Sequence, residues 1–239
     1  MNQELLVERF LETLINGDRV AARAVIRETT DAGIGAPTLI NNLFFPAYEK
    51  IEQLHRADQI TKVAYHLASR LLRMLVDQTT ARLTAAAPNG KTVFAVCGPS
   101  ESEELAAQMV VDLLEAGGCQ VTFTGGGIPG DEILAQVHER RPDILLMFAS
   151  AASDLPEIRA VIDQIREIGA VDRTKIVVGG GVFNRAEGLA EELHADLWAM
   201  TPLELVEVVL TGKMKREPIP ATVGRIGKKT IGARQRAAA

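Results

Sequence analysis

Residues 85–97 read Ala85-Ala86-Ala87-Pro88-Asn89-Gly90-Lys91-Thr92-Val93-Phe94-Ala95-Val96-Cys97, and the change of pattern inside that stretch decides the fold. Its first half, small residues followed by a proline and an Asn-Gly pair, has the composition of a linker. Its second half is a short run of apolar and β-branched residues, which reads as a strand. Everything upstream has helical spacing. Leu5, Leu6, Phe10, Leu11 and Leu14 mark a first helix, and Asp18 caps a second that carries Val20, Val25 and Ile26. Gly33-Ile34-Gly35 breaks that helix, and Pro37 suits the first turn of a third, which holds Leu39, Leu43, Phe44, Tyr48, Ile51 and Leu54. A polar turn leads to a fourth, with Val63, Leu67, Leu71, Met74 and Leu75.

Downstream, strand-like segments at 92–97, 119–124, 143–149, 175–178 and 196–199 alternate with helical ones at 101–117, 130–141, 154–168, 185–194 and 202–211. Strands alternating with helices give a parallel sheet with right-handed crossovers. The expected fold is therefore α/β. A four-helix bundle over 1–86 precedes a five-stranded, doubly wound, flavodoxin-like or Rossmann-like domain over 91–212. Such a sheet binds ligands at the carboxyl ends of its strands, so the loops that follow the strands are the ones to inspect.

The chain has 239 residues, 47% of them hydrophobic, and a formal net charge of −5. No apolar run approaches the roughly 18 residues needed to span a membrane. Met1–Phe10 lacks the charge-then-apolar order of a signal peptide. Cys97 and Cys119 make neither a disulfide framework nor a zinc site, which suits a reducing cytoplasm. The charge is uneven: residues 213–239 hold eight Lys/Arg against the single acid Glu217. That basic tail reads as a solvated terminus, or as an electrostatic handle for an acidic partner. It has no motif of a sequence-specific nucleic-acid reader.

The usual catalytic and nucleotide motifs are missing. Asn89-Gly90-Lys91-Thr92 ends like a phosphate-binding loop but precedes a strand, and Cys97-Gly98-Pro99-Ser100 is not a dinucleotide turn. The Gly125–Gly127 and Gly179–Gly181 triplets admit two readings: backbone that a ligand approaches closely, or tight strand-to-helix turns.

A four-helix bundle joined to such a sheet resembles the cobalamin-binding modules of methionine synthase, corrinoid methyl carriers and light-sensing repressors, over about 1–212. That family's cap carries Phe/Leu-Pro-Ala, then a Trp, nine residues and a Glu-His pair facing the cobalt. Here Phe45-Pro46-Ala47 is present, followed by His55, nine residues and Tyr65-His66. The family's lower-face motif, DxHxxG, falls on Glu101-Ser102-Glu103-Glu104-Leu105-Ala106, which puts Glu103 in place of the ligating His. The slot for the cofactor's nucleotide tail falls on Phe148-Ala149-Ser150, Gly179-Gly180 and His194, so Ala106, Phe148 and His194 add volume there.

The resemblance implies a cofactor site built from His55, Tyr65, His66, Ser100, Glu101, Glu103, Ser150, Gly179 and Gly180, with His66 as the metal ligand. The implied cofactor is a corrinoid held without the lower histidine, or another tetrapyrrole such as haem or a bilin. The leading expectation is a non-enzymatic sensor that reports occupancy to a regulatory partner, with self-association left open. The alternatives are a cofactor-free interaction scaffold and, ranked last, a corrinoid methyl carrier for a methyltransferase.

Overall fold

The computed structural model describes residues 3–168 and 173–214; the basic tail beyond Met214 lies outside them. The helical part comprises α1 (Gln3–Ile15), α2 (Arg19–Asp31), α3 (Ala36–Leu39), α4 (Phe45–Arg56) and α5 (Lys62–Thr80). Asp18 caps α2 by accepting from the Val20 and Ala21 amides, and Thr61 caps α5 by accepting from Ala64 N–H. The expected third helix is α3 and α4 joined by a π-helical turn over Ile40–Phe44. Pro46 accounts for it, because a proline cannot donate the i→i−4 bond to Asn42. The freed Asn42 carbonyl instead accepts from Gln3 Nε2 at 3.1 Å.

The second part runs β1 (Thr92–Cys97), α6 (Glu101–Ala116), β2 (Gln120–Gly126), α7 (Gly130–Arg140), β3 (Ile144–Phe148), α8 (Leu155–Ile168), β4 (Lys175–Gly179), α9 (Gly181–Arg185), α10 (Leu189–Glu192), β5 (Leu197–Trp198) and α11 (Pro202–Thr211). All pairings are parallel, in the order β2-β1-β3-β4-β5, as the doubly wound expectation requires. The helix expected over 185–194 is instead two short helices, parted by extended backbone at Ala186 and a left-handed Gly188.

The apolar patterns sort into three clusters. Val96, Leu145, Met147 and Val178 pack beneath α7 and α8, while Ala95, Leu146, Phe148 and Val177 pack beneath α6 and α11. The cap helices share a third cluster with Leu105, Ala106, Met109 and Leu113 of α6, so one helix seals the cap on one side and the sheet on the other. Residues 85–90 form neither helix nor strand. Ala86 N–H donates to Ala116 O and Asn89 N–H to Gly118 O, which straps this segment onto the α6–β2 turn. Strand order reverses between β1 and β3, and the cap lies over that end of the sheet.

Candidate functional site

The site is built around Ser150, in the loop after β3, which three different segments grip. Its amide donates to Glu103 Oε1 at 2.6 Å, its carbonyl accepts from Arg185 Nη2, and its hydroxyl lies 3.3 Å from Tyr48 Oη on the cap. A second tie runs from Asn184 Nδ2 to Glu49 Oε1 of α4 at 3.0 Å. A third joins Leu203 N–H of α11 to Asn41 Oδ1. The cap is thus hydrogen-bonded to the loops at the carboxyl ends of β3 and β4. Beside these ties lies a cleft of about 1100 Å³ whose walls include Val7, Leu11, Tyr48, Glu52, Arg185 and Met200.

Helical spacing explains the cap wall. Tyr48, Glu52 and Arg56 recur every fourth residue on α4, and Glu49 and Gln53 share that face. Tyr48 is 5% exposed; burial first, then the Glu52 carboxylate, pushes its phenol well above the ordinary range, so it stays an O–H donor at neutral pH. Burial also raises Glu49, partly offset by its bond from Asn184. Arg185 is pulled down by burial and then by the nearby Arg56. The Asn184 Oδ1 atom is buried with no hydrogen-bond partner among the described residues, beside the cleft that Asn184 helps to line.

The loop after β1 is closed on itself. Ser100 and Glu103 form a capping box at the start of α6: Ser100 Oγ donates to Glu103 Oε2 at 2.7 Å and accepts from the Glu103 amide. Burial alone would raise the Glu103 carboxyl, but the donors from Ser100 and Ser150, with the neighbouring Asp154, outweigh it and hold it below the ordinary range. Asp154 goes the other way, raised by burial and then by Glu103. Its Oδ2 is buried without a hydrogen-bond partner among the described residues, and burial beside the Glu103 carboxyl favours its protonated form. On the same strand end, burial and then Glu104 push the Cys97 thiol up to about 12, so it is no nucleophile at neutral pH.

Both glycine pairs serve the turns. A Cβ on Gly126 would collide with the Gly98 carbonyl, and one on Gly180, at φ 107°, with the Ala149 carbonyl. A Cβ on Gly179 would sit 2.9 Å from Leu205 Cδ1 and 3.1 Å from the Phe148 ring. Close packing of the protein's own loops is sufficient to require these glycines.

Of the residues expected at the site, Ser150 lines the cleft, Ser100 and Glu103 form the closed loop, and Gly179 and Gly180 support it. Glu101 opens α6, and its side chain lies outside the described part. Tyr65 reaches the cleft wall indirectly, donating from its hydroxyl to Glu52 Oε1 at 2.9 Å. His55 stacks on Tyr65 at 3.9 Å and does not line the cleft. His66, expected at a metal, is exposed on α5 and touches the edge of Tyr65 instead, because it lies one residue off the inward face of that helix. His194 is exposed at a left-handed position before β5, the end of the strand remote from the loops, and Ala106 packs toward the cap; neither fills a slot in the sheet. Among the described residues, no group of three or more His, Cys, Asp and Glu could hold a metal ion.

Two family models match the chain, both described as a B12 binding domain, one over residues 6–79 and the other over 91–207. The chain belongs to the B12-binding family. It is 20% identical to the trimethylamine corrinoid protein of Methanosarcina barkeri over 211 residues, covering 87% of this chain and 96% of that one. It is 26% identical to dimethylamine corrinoid protein 3 of Methanosarcina mazei over 103 residues, covering 43% of this chain and 60% of the relative. The structure of the Methanosarcina barkeri monomethylamine corrinoid protein shares the fold with a TM-score of 0.77 at 16% identity, covering 89% of this chain and all of that one.

The B12 family's cofactor is a large amide-fringed ring around a metal, with a nucleotide tail. The cap side of the cleft suits such a ring. Val7, Leu11 and Met200 offer apolar surface, while Glu49, Gln53 and the orphaned Asn184 oxygen offer partners for amides. The sheet side does not suit a histidine-ligated cofactor with an inserted tail. Glu103 is 3% exposed with both oxygens engaged, and the Phe148 ring occupies the space beside Gly179.

Proposed function

We propose that this chain is a corrinoid-binding protein that catalyses nothing alone and presents its cofactor to a partner methyltransferase in the cytoplasm. One observation carries the reading: a cleft roofed by a helical cap at the carboxyl ends of a parallel sheet, in a chain aligned almost end to end with a trimethylamine corrinoid protein. This places the carrier ahead of the sensor that the sequence favoured. The cap wall would bind the ring through Tyr48, Glu49 and Asn184, and the reaction would belong to the partner. An unreactive Cys97 thiol and a phenol held protonated at Tyr48 agree with a binding role. The sensor remains the second reading, on the single ground that Glu103 stands where the family's ligating imidazole would be.

The deciding experiment loads the full chain with methylcobalamin and adds a corrinoid-dependent thiol methyltransferase with its thiol. A carrier gives methylated thiol in proportion to the protein added. Tight corrinoid binding with no methyl transfer favours the sensor, and no corrinoid binding removes both readings.

A further inference from the structure

We infer that this chain takes corrinoids regardless of their nucleotide tail, nucleotide-free cobinamides included, and gives the metal no protein ligand on the sheet side. The inference rests on the corrinoid reading above and concerns which corrinoids the cleft accepts. Three observations carry it.

The residue in the ligand position is committed elsewhere. Glu103 spends one carboxylate oxygen on the Ser150 amide and the other on the Ser100 hydroxyl and amide. The loop backbone presses close on it: a Cβ on Gly98 would lie 2.5 Å from either Glu103 oxygen. Turning this carboxylate toward a metal would strand the Ser150 amide and open the capping box.

No imidazole can take its place. The chain has four histidines. His55 and His66 are on the cap, His138 is exposed on α7, and His194 is exposed before β5. None lies on a loop at the carboxyl end of a strand.

On the face beneath α6 and α11 the sheet has no room for a tail. Cys97, Phe148 and Gly179 form one row across β1, β3 and β4, and Phe148 is 4% exposed. Its ring and Leu205 of α11 close the space that the missing Gly179 side chain leaves. On that face a benzimidazole-sized group could enter only by expelling Phe148 from a packed core. A tail kept out of that packed face gains none of the buried contacts it would make there, so its presence changes affinity little.

The test titrates the full chain with hydroxocobalamin and with hydroxocobinamide. After one-electron chemical reduction of the bound corrinoid, it records electron paramagnetic resonance of the Co(II) form, using ordinary protein and protein labelled with ¹⁵N-histidine. The two dissociation constants should agree within about threefold, well under the tenfold step that 1.4 kcal/mol represents. The metal spectrum should be unchanged by the label, whether its nitrogen splitting comes from the cofactor's own base or is absent. A cobalamin preference of about thirtyfold or more, or a triplet splitting that becomes a doublet in labelled protein, overturns the inference and leaves the corrinoid reading standing. Failure to bind either compound overturns the corrinoid reading as well.

Discussion

On the cap side of the cleft, α4 lays out Tyr48, Glu49, Glu52, Gln53 and Arg56 along one helical face, with room beside them and an orphaned Asn184 oxygen opposite. On the sheet side, Ser100, Glu103, Ser150 and Asp154 satisfy one another, and Phe148 seals the strand ends. One wall is arranged to meet a ligand and the other to hold the protein together. A family match over nearly the whole described chain does not make those walls equivalent. Binding chemistry can persist on one face after the other has been converted to packing.

The largest break in this contrast comes from Phe148→Ala. Removing a ring that is 4% exposed should cost about 3–5 kcal/mol by chemical denaturation. It should also open the sheet, so that cobalamin binds more tightly than cobinamide. A loss below about 1 kcal/mol would mean that the ring does not fill the space beside Gly179. Gly180→Ala follows, at about 2 kcal/mol or more, because φ 107° is unfavourable for any side chain and the new Cβ meets the Ala149 carbonyl. Thermal unfolding read by circular dichroism measures it, and an unchanged midpoint would place the need for that glycine with a ligand.

Asp154→Asn is smaller and depends on pH. The Asp154 carboxyl is raised, so its stabilising share is full below its unfolded value and lost as pH rises through its folded one. Glu103 is lowered, so its share is present above its unfolded value and lost as pH falls through its folded one. The asparagine amide stays neutral beside Glu103 at every pH. The variant should therefore gain on the wild type as pH rises above the ordinary carboxylate range, by less than about 1 kcal/mol after solvent screening. Parallel stability curves would contradict the raised Asp154 carboxyl. His66→Ala should be smallest, within about 0.5 kcal/mol, with the visible spectrum of bound hydroxocobalamin unchanged. A spectral shift would restore His66 as a ligand.

Much of the fold was legible because periodicity is local. The linker from Ala85 to Gly90, the strand Thr92–Cys97, the Asp18 cap and the helix from Pro202 all follow from neighbours in sequence. The π turn was also within reach, since Pro46 requires that Asn42 lose its helical donor. The cleft was not, because its partners lie far apart: Tyr48 and Ser150 are 102 residues distant, and Glu49 and Asn184 are 135. Only the spacing of Tyr48, Glu52 and Arg56 hinted at the cap wall. Motif alignment named Glu103 and Ser150, which share one hydrogen-bonded loop cluster, but His194 and Ala106 lie away from it. Counting positions in a motif does not say which end of a strand, or which side of a helix, a residue occupies.

The central claim, that the cap-side cleft is the corrinoid site, is tested most directly by titrating hydroxocobalamin into the wild type and Gln53→Trp. Gln53 is exposed on the cleft wall, so a tryptophan there fills the space without entering the core. The wild type should saturate at one corrinoid per chain, and the variant should bind at least about tenfold more weakly, a change of 1.4 kcal/mol. Equal affinity in the two proteins, or no saturable binding in the wild type, would contradict the account.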